Sequence, residues 1–166
     1  MTQTQDIFHL QKKAFNYRDV MKIITSISEI NQLCNSGNVI GLVPTMGAIH
    51  DGHISLVKNA KKDCNIVIVS IFTNPIQFAT DDDFSSYPRS INKDLDLLRN
   101  EGVDVVFCPS VEEIYPSGFS TSVEVENFSD LFEGKSRPGH FKGVTTIVIK
   151  LLNLFLPNKV YLGQKD

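Results

Sequence analysis

Two histidines, His50 and His53, stand three residues apart in a stretch that also contains Gly47 and Gly52. Side chains with this spacing can share one face of a helix. Glycines let backbone N–H groups approach an anion closely, and a helix start presents unpaired N–H groups and the positive end of its dipole. Imidazolium and N–H groups can neutralise the charge that builds up on a phosphoryl group during displacement. The stretch therefore indicates nucleotide chemistry.

The segments on either side of the histidines predict how the fold positions them. Residues 39–43 are apolar and predict a buried strand, and residues 54–62 carry apolar residues at helical spacing. Residues 65–72 (NIVIVSIF) form a continuous β-branched run, which is typical of a central parallel strand covered on both faces. The histidine turn is therefore expected at the carboxyl end of a strand, where it leads into a helix.

The remainder of the chain continues this alternation of strands and helices. Further strands are predicted at residues 21–25, 103–107 and 159–162, and further helices at residues 26–34, 91–100 and 140–156. Residues 80–87 predict an acidic loop, residues 134–139 (GKSRPG) a basic flexible loop, and residues 123–125 an added strand. This order predicts an α/β fold with a parallel sheet and helices on both faces.

Polar residues follow three of the predicted strands at their carboxyl ends. They are residues 45–53, residues 74–77 and residues 163–166. Ligands of open parallel sheets bind at that edge, so these groups are expected to face one cleft. Loops between strands and helices are often polar without having a function, and for Asn74 and Gln77 alone both interpretations stay open. A histidine pair framed by glycines is a stronger indication of function.

The composition restricts the classes of function. The chain has 166 residues, 42% hydrophobic and 21% charged, which suits one globular domain. A net charge of −3 gives no indication of nucleic-acid binding. Cys34, Cys64 and Cys108 lack metal-ligand spacing and are predicted to be reduced thiols. Because no apolar segment suits a membrane span or a signal core, a cytoplasmic location is expected. Residues 1–20 predict a disordered extension or a short added helix.

The chain contains neither a Walker P-loop pattern nor a Ser-His-Asp arrangement, but it resembles the pantothenate synthetase (pantoate:beta-alanine ligase) family of the nucleotidyltransferase superfamily. The resemblance covers residues 21–166. It is carried by PTMGAIHDGH (44–53), SIFTNPIQF (70–78), YPRS (87–90), FEGKSRPGHFKGV (132–144) and GQKD (163–166). The His-x-x-His turn alone marks the superfamily, which also includes class I aminoacyl-tRNA synthetases. The five motifs together are specific to this ligase family.

The resemblance implies a Rossmann-like domain over residues 21–166 and a reaction in two steps. The pantoate carboxylate would attack the α-phosphorus of ATP and release pyrophosphate, and the amine of beta-alanine would then displace AMP from a pantoyl adenylate. His53 would be the catalytic histidine that serves the leaving pyrophosphate, assisted by His50 and Lys165. The implied ATP-binding residues are Met46, Gly47, Ala48, Ile49, His50, Asp51, Gly52, His53, Gly163, Gln164, Lys165 at phosphate and Asp166 at ribose. The implied residues for pantoate and beta-alanine are Gln77, Pro44, Met46, Asn74, Arg137 and His140.

The resemblance also implies that Mg²⁺ accompanies ATP, without a predicted protein ligand, and that the protein is a homodimer. The net charge and the lack of a long apolar segment give no reason to expect a nucleic-acid or membrane partner. In the family, a second pantoate-holding glutamine, a mobile loop over the phosphates and a small C-terminal lid domain follow the positions that match Asp166. The chain is therefore expected to be an N-terminal domain that binds ATP weakly and catalyses poorly by itself. Gln164 stands where the family often has glutamate.

Two other functions stay open from the sequence. A different adenylyl transferase of the same superfamily would share the histidine turn but not Gln77 or the GKSRPGH segment, and it would ignore pantoate. A nucleotide-binding or assembly module would bind ATP without turnover.

Overall fold

The sheet of this protein is entirely parallel, as the sequence predicts. The computed structural model describes residues 21–30, 37–127, 129, 131 and 133–164. The strands are β1 (Lys22–Ile24), β2 (Ile40–Thr45), β3 (Ile66–Ile71), β4 (Val105–Phe107) and β5 (Lys159–Val160). They lie in the order β1-β4-β3-β2-β5, and every neighbouring pair is parallel. Because all five strands point the same way, their carboxyl ends form one edge of the sheet.

The helices connect the strands and cover the sheet. They are α1 (Asp51–Asp63), α2 (Asp81–Ser86), α3 (Ile91–Asn100), α4 (Val111–Ile114), α5 (Glu133–Ser136) and α6 (His140–Phe155). Short 3-10 turns occur at Ile27–Glu29 and Pro75–Gln77. The predicted extension at residues 1–20 lies outside the described residues, as do residues 31–34 of the predicted helix that begins after Ser26.

The two faces of the sheet carry separate apolar clusters. Ile66 and Ile68 of β3 belong to the cluster that includes Ile147, Leu151 and Phe155 of α6. Val67 and Val69 belong to the cluster that includes Val57 and Ala60 of α1 and Leu98 of α3. Successive residues of a strand point to opposite faces, so a continuous apolar run is what a strand covered on both sides requires. The prediction of helices on both faces is confirmed.

The predicted acidic loop at residues 80–87 is wrong, because residues 81–86 form α2. The Asp83 N–H donates to the Thr80 hydroxyl oxygen at 3.2 Å, so Thr80 caps the helix. Acidic residues are favourable in the first turn of a helix, where they face the positive end of its dipole. The acidic run therefore belongs to a helix start, although its composition suits a loop equally well.

Two further predictions need correction. Residues 134–136 belong to α5, so only residues 137–139 of the predicted GKSRPG loop form a turn. The added strand at residues 123–125 is absent from the described sheet. The Val123 N–H donates to the Thr146 hydroxyl at 3.0 Å, and the Thr145 hydroxyl donates to the Val123 carbonyl at 2.6 Å. Side chains of α6 thus form hydrogen bonds with backbone groups that a neighbouring strand would otherwise bond.

Pro44 lies in β2 between two neighbouring strands, a position that normally excludes proline. The carbonyl of Leu42 accepts a hydrogen bond from Tyr161 N–H, so even-numbered residues of β2 direct their backbone groups toward β5. The β5 pairing covers Gly41 and Leu42 only. The missing N–H of Pro44 therefore falls beyond the paired part of β5, where it costs no ladder hydrogen bond.

Candidate active site

His50 and His53 lie at the start of α1, at the carboxyl edge of the sheet. His50 is the N-cap, and its Nδ1 accepts a hydrogen bond from Gly52 N–H at 3.1 Å. The Nδ1 of His53 accepts from His50 N–H at 3.4 Å, and the two rings are 4.0 Å apart between centroids. Because both Nδ1 atoms accept hydrogen bonds, a neutral imidazole here carries its proton on Nε2. Both rings can therefore donate through Nε2.

The turn before the histidines has an unusual backbone. Gly47 and Ala48 both have left-handed conformations, with φ values of 87° and 50°. The Gly47 N–H donates to the Thr45 hydroxyl oxygen at 3.1 Å. A Cβ at Gly47 would lie 3.1 Å from an Asp94 carboxylate oxygen and 3.1 Å from a methyl of Ile71. Glycine at this position thus satisfies both the positive φ and the close contact.

Asp94 of α3 lies beneath this turn and is 3% exposed. Its Oδ2 accepts from Ala48 N–H at 2.9 Å, and its Oδ1 accepts from Ile49 N–H at 2.8 Å. Asp94 is not among the site residues that the sequence predicts, because a single aspartate in a predicted helix carries no local pattern. Its place in the first turn of α3 is the one available signal, since that end of α3 must also lie at the carboxyl edge.

Backbone N–H groups of the histidine turn are already used within the chain. The N–H of Gly47 donates to the Thr45 hydroxyl, and the N–H groups of residues 48 and 49 donate to the Asp94 carboxylate. The N–H groups of His50 and Gly52 donate to the Nδ1 atoms of His53 and His50. The N–H groups of Gly47 and Gly52 are therefore already bonded, and they are not free for an anion as the spacing suggests.

The segment after β3 positions Gln77 beside Met46. Asn74 is 1% exposed, and its amide nitrogen donates to Gln77 Oε1 at 3.1 Å and to the Gly143 carbonyl at 3.0 Å. The Tyr115 hydroxyl donates to Asn74 Oδ1 at 2.8 Å. Asn74 thus orients Gln77, whose Nε2 lies 2.9 Å from the sulfur of Met46.

Helix α6 approaches this segment closely because it carries glycine at position 143. A Cβ at Gly143 would lie 2.6 Å from the Gln77 backbone nitrogen. One turn earlier, His140 Nδ1 lies 2.7 Å from the Gln77 carbonyl oxygen. Arg137 pairs with Glu133 at 2.8 Å, one helical turn away along the chain.

Two cavities flank Met46 at the carboxyl edge. A cavity of about 470 Å³ is lined by residues that include Met46, Gln77, Tyr87, Arg137 and His140. A second, of about 340 Å³, is lined by residues that include Met46, Gly47, Arg89 and Asp94. The first cavity brings together four of the predicted substrate residues from three separate segments of sequence. The cavity offers amide, guanidinium and imidazole groups that can bind a small carboxylate, and the acidic residue Asp83 also lines it.

The other predicted site residues divide into three groups. Pro44 and Asp51 lie at the carboxyl edge, near the end of β2 and at the first residue of α1. Gly163 and Gln164 follow β5 toward the same edge. Lys165 and Asp166 lie outside the described residues. Of the three polar segments that the sequence predicts at this edge, the structure places residues 45–53 and 74–77 there, and residues 163–164 follow β5 toward it. The contact of His140 with Gln77 adds the start of α6, which the sequence does not predict at this edge.

Two of the three cysteines, Cys64 and Cys108, lie in the described part of the chain, and both carry free thiols. Burial, with a smaller contribution from the charge of Asp94, raises the pKa of the Cys108 thiol to about 11. The thiol therefore stays protonated at neutral pH.

The described residues contain no group of three or more His, Cys, Asp or Glu side chains that could hold a metal ion. None of the helices in the described part of the chain is long and apolar enough to cross a bilayer.

The parallel sheet and the histidine turn at its carboxyl edge define an α/β protein of the nucleotidyltransferase type. Residues 19–166 match the family model described as pantoate-beta-alanine ligase. The chain is 51% identical over 150 residues to pantothenate synthetase of Acetivibrio thermocellus, covering 88% of this chain and 53% of that protein. It is 57% identical over 131 residues to pantothenate synthetase of Carboxydothermus hydrogenoformans, covering 78% and 46%. The chain belongs to the pantoate-beta-alanine ligase family.

Solved structures show the same relationship. Pantothenate synthetase from Thermus thermophilus superposes with a TM-score of 0.82 at 42% identity, covering 86% of this chain and 51% of that one. The ligase from Francisella tularensis, described as complexed with beta-gamma ATP and beta-alanine, gives a TM-score of 0.81 at 45% identity, covering 85% and 56%. The chain thus spans about half the length of the relatives it matches.

Proposed function

We propose that this chain carries the adenylating site of a ligase that joins (R)-pantoate to beta-alanine with ATP. The observation that carries the proposal is the meeting, at one sheet edge, of the His50–His53 pair with the cavity lined by Gln77, Arg137 and His140. Membership of the pantoate-beta-alanine ligase family supports it. So does the ATP and beta-alanine complex of the Francisella relative.

The proposed reaction has two displacements. An oxygen of the pantoate carboxylate attacks the α-phosphorus of ATP, and the bond to the pyrophosphate oxygen breaks. The amine nitrogen of beta-alanine then attacks the pantoyl carbonyl carbon of the adenylate, and AMP leaves as the amide bond forms. The amine loses a proton in this second step. Positioning and electrostatic stabilisation supply most of the catalysis in such phosphoryl chemistry.

The histidine turn is proposed to serve the first displacement. Nε2 of His53, assisted by His50, would donate hydrogen bonds to phosphate oxygens as charge moves onto the leaving pyrophosphate. ATP would lie along residues 46–53 and residues 163–166, with Lys165 at phosphate and Asp166 at ribose. Because the N–H groups of Ala48 and Ile49 are bonded to Asp94, the imidazoles carry the larger share of the stabilisation.

The cavity beside Met46 is proposed to bind the acid and the amine. Gln77 would bind pantoate, and the Asn74 amide holds the Gln77 side chain in place for that role. Arg137 and His140 would face the carboxylate of beta-alanine or the phosphates. Met46 and Pro44 would supply apolar contact to the methyl groups of pantoate. ATP would be accompanied by Mg²⁺ held by phosphate oxygens and water, which reduces the charge on the phosphates.

Assembly and location are also proposals. We propose a homodimer, an assembly that the resemblance to the ligase family implies. Sedimentation velocity would test it, and a concentration-independent monomer would contradict it. We further propose a cytoplasmic location, and that residues 21–166 form the N-terminal nucleotide-binding domain that a C-terminal lid completes.

The test of the proposed reaction is exchange of labelled pyrophosphate into ATP, measured with and without pantoate. The expected result is exchange that requires pantoate and does not require beta-alanine. The same assay is run on a protein extended past Asp166, because closure over the site supports turnover. ATP binding without pantoate-dependent exchange in either protein would contradict the proposed function. Exchange that then appears with a phosphorylated cofactor precursor as the acceptor of AMP would favour a different adenylyl transferase, and its absence would favour a binding module.

A further inference from the structure

Asp94 forms two hydrogen bonds to the backbone that leads into the histidine pair. Its carboxylate oxygens accept from Ala48 N–H at 2.9 Å and Ile49 N–H at 2.8 Å, and the residue is 3% exposed. Ile49 directly precedes His50. Three side chains therefore hold the backbone of residues 46–49 in the described part of the chain. Asp94 of α3 bonds residues 48 and 49, Thr45 at the end of β2 bonds Gly47, and the Thr73 hydroxyl donates to the Met46 carbonyl at 3.2 Å.

One residue of this turn, Ala48, has a backbone conformation that a residue with a Cβ does not favour. Ala48 has a φ of 50°, and a residue with a Cβ adopts this region only when its surroundings hold it there. The two hydrogen bonds from the turn to Asp94 supply such a restraint. In the part of the chain that the structure describes, Asp94 has no ion-pair partner, so its charge is met by these N–H groups and by the first turn of α3.

We propose that Asp94 is a positioning residue for ATP: it fixes the turn at residues 46–49 and so sets the direction in which His50 and His53 present Nε2 to the phosphates. This inference rests on the proposed function. Asp94 itself does not touch the nucleotide. Its negative charge lies under the turn and disfavours a phosphate there, which directs the triphosphate toward the imidazoles.

Asp104 provides a matched control at the opposite end of the sheet. It is 4% exposed, and its carboxylate accepts from Val67 N–H at 2.8 Å and from the Lys61 ammonium at 3.0 Å. It therefore resembles Asp94 in burial and in bonding to backbone, but it lies away from the histidine turn. A general loss of stability would affect both aspartates, whereas a loss of positioning would affect Asp94 alone.

The first experiment measures the Kd of ATP by titration calorimetry for the full chain and for Asp94→Asn and Asp104→Asn. The temperature is one at which circular dichroism shows all three proteins folded. Asp94→Asn keeps the shape of the side chain but turns an NH₂ group toward a backbone N–H, so ATP is expected to bind about tenfold more weakly. Asp104→Asn is expected to bind ATP as the parent does.

The outcomes separate this inference from the proposed function. Unchanged ATP binding in Asp94→Asn, or equal weakening in both variants, would overturn the positioning role alone. A parent chain that does not bind ATP would overturn the proposed function, and with it any role of Asp94 in binding nucleotide.

The second measurement needs no variant. Amide hydrogen exchange of the parent chain, followed by NMR, reports directly on the two hydrogen bonds. The Ala48 and Ile49 amides are expected to exchange slowly both without and with ATP, because Asp94 keeps them bonded in both states. Rapid exchange of these amides in the free chain, or protection that appears only with ATP, would overturn the inference even if Asp94→Asn failed to fold.

Discussion

Asp94 at the carboxyl end of the sheet and Asp104 at its amino end are almost equally buried, but they are bonded differently. Asp104 meets one backbone N–H and the ammonium of Lys61, so its charge is balanced by a side chain of opposite charge. Asp94 meets two backbone N–H groups of a left-handed turn. The amino end thus uses a buried carboxylate to stabilise the start of strands. The carboxyl end uses one to fix the backbone from which two histidines project.

The same contrast holds for the surrounding side chains. At the amino end, Asp63 meets Lys159 at 3.1 Å and the Tyr161 hydroxyl at 3.1 Å, and these groups satisfy one another. At the carboxyl end, polar groups from separate segments border cavities of about 340 and 470 Å³. Substitutions at the two ends should therefore divide into effects on stability and effects on chemistry.

The largest effect is expected for His53→Ala. Loss of one preorganised donor to a developing phosphate charge should lower pantoate-dependent pyrophosphate exchange at least ~100-fold. The unfolding midpoint should change little, because the side chain is only partly buried. Lys58→Ala, on the same helix and 60% exposed, is the control and should keep its activity. A large loss of thermal stability with unchanged turnover per folded molecule would contradict the role of His53.

The next effect is expected for Gly47→Ala. A positive φ costs a residue with a Cβ about 1–2 kcal/mol, and here the Cβ would also crowd Asp94. Both stability and ATP binding should fall. Gly102→Ala is matched in backbone, with φ of 68° and no atom within 4 Å of the added Cβ, and should lower stability only. Equal ATP affinity in the two folded variants would contradict the importance of this turn.

A more selective effect is expected for Gln77→Ala. The variant should raise the pantoate concentration needed for half-maximal exchange about tenfold, since one or two hydrogen bonds to the substrate would be lost. The dependence on ATP concentration should stay near that of the parent. Steady-state exchange at varied pantoate and ATP measures both. An unchanged pantoate dependence would count against Gln77 as a substrate residue.

The smallest effect is expected at the amino end. Hydrogen bonds from Lys159 and then Tyr161 lower the pKa of the Asp63 carboxyl from its ordinary value. The stabilisation is therefore complete above the unfolded pKa of about 4 and is lost as the pH falls through the lower folded value. Asp63→Asn should remove this small pH dependence of the unfolding temperature at acidic pH, which thermal scans at several pH values would measure. The rate of pyrophosphate exchange should not change. A changed rate of pyrophosphate exchange in Asp63→Asn would contradict the division between stability at the amino end of the sheet and chemistry at its carboxyl end.

The fold was predictable because its signals are local. The apolar run of β3, the helical spacing of α1 and the length of the α6 segment before Pro157 each lie within one segment. The alternation of these elements then indicates a parallel sheet. The predictions failed where a local signal had two interpretations. The acidic residues of α2 suit a loop or a helix start, and residues 123–125 suit a strand only if a neighbouring strand is present.

The candidate site was predictable in part for the same reason. The histidine turn and Gln77 lie in recognisable motifs, and the structure brings them to one edge. Asp94 was missed because its role depends on a contact across 45 residues of sequence, between α3 and the turn before α1. No spacing rule reports such a contact. Asn74 is among the predicted substrate residues, but its hydrogen bonds with Gln77, Gly143 and Tyr115 could not be predicted from spacing either.

The most direct test of a site at the carboxyl edge is a two-dimensional ¹H–¹⁵N NMR titration of this chain with ATP, followed by pantoate. The expected result is that ATP shifts the amide signals of His50, Gly52 and His53, and that pantoate then shifts that of Gln77. Signals of Asp63, Asp104 and Lys159 at the amino end should stay in place. Saturable shifts confined to the amino end, or none at the histidine turn, would contradict the proposed site.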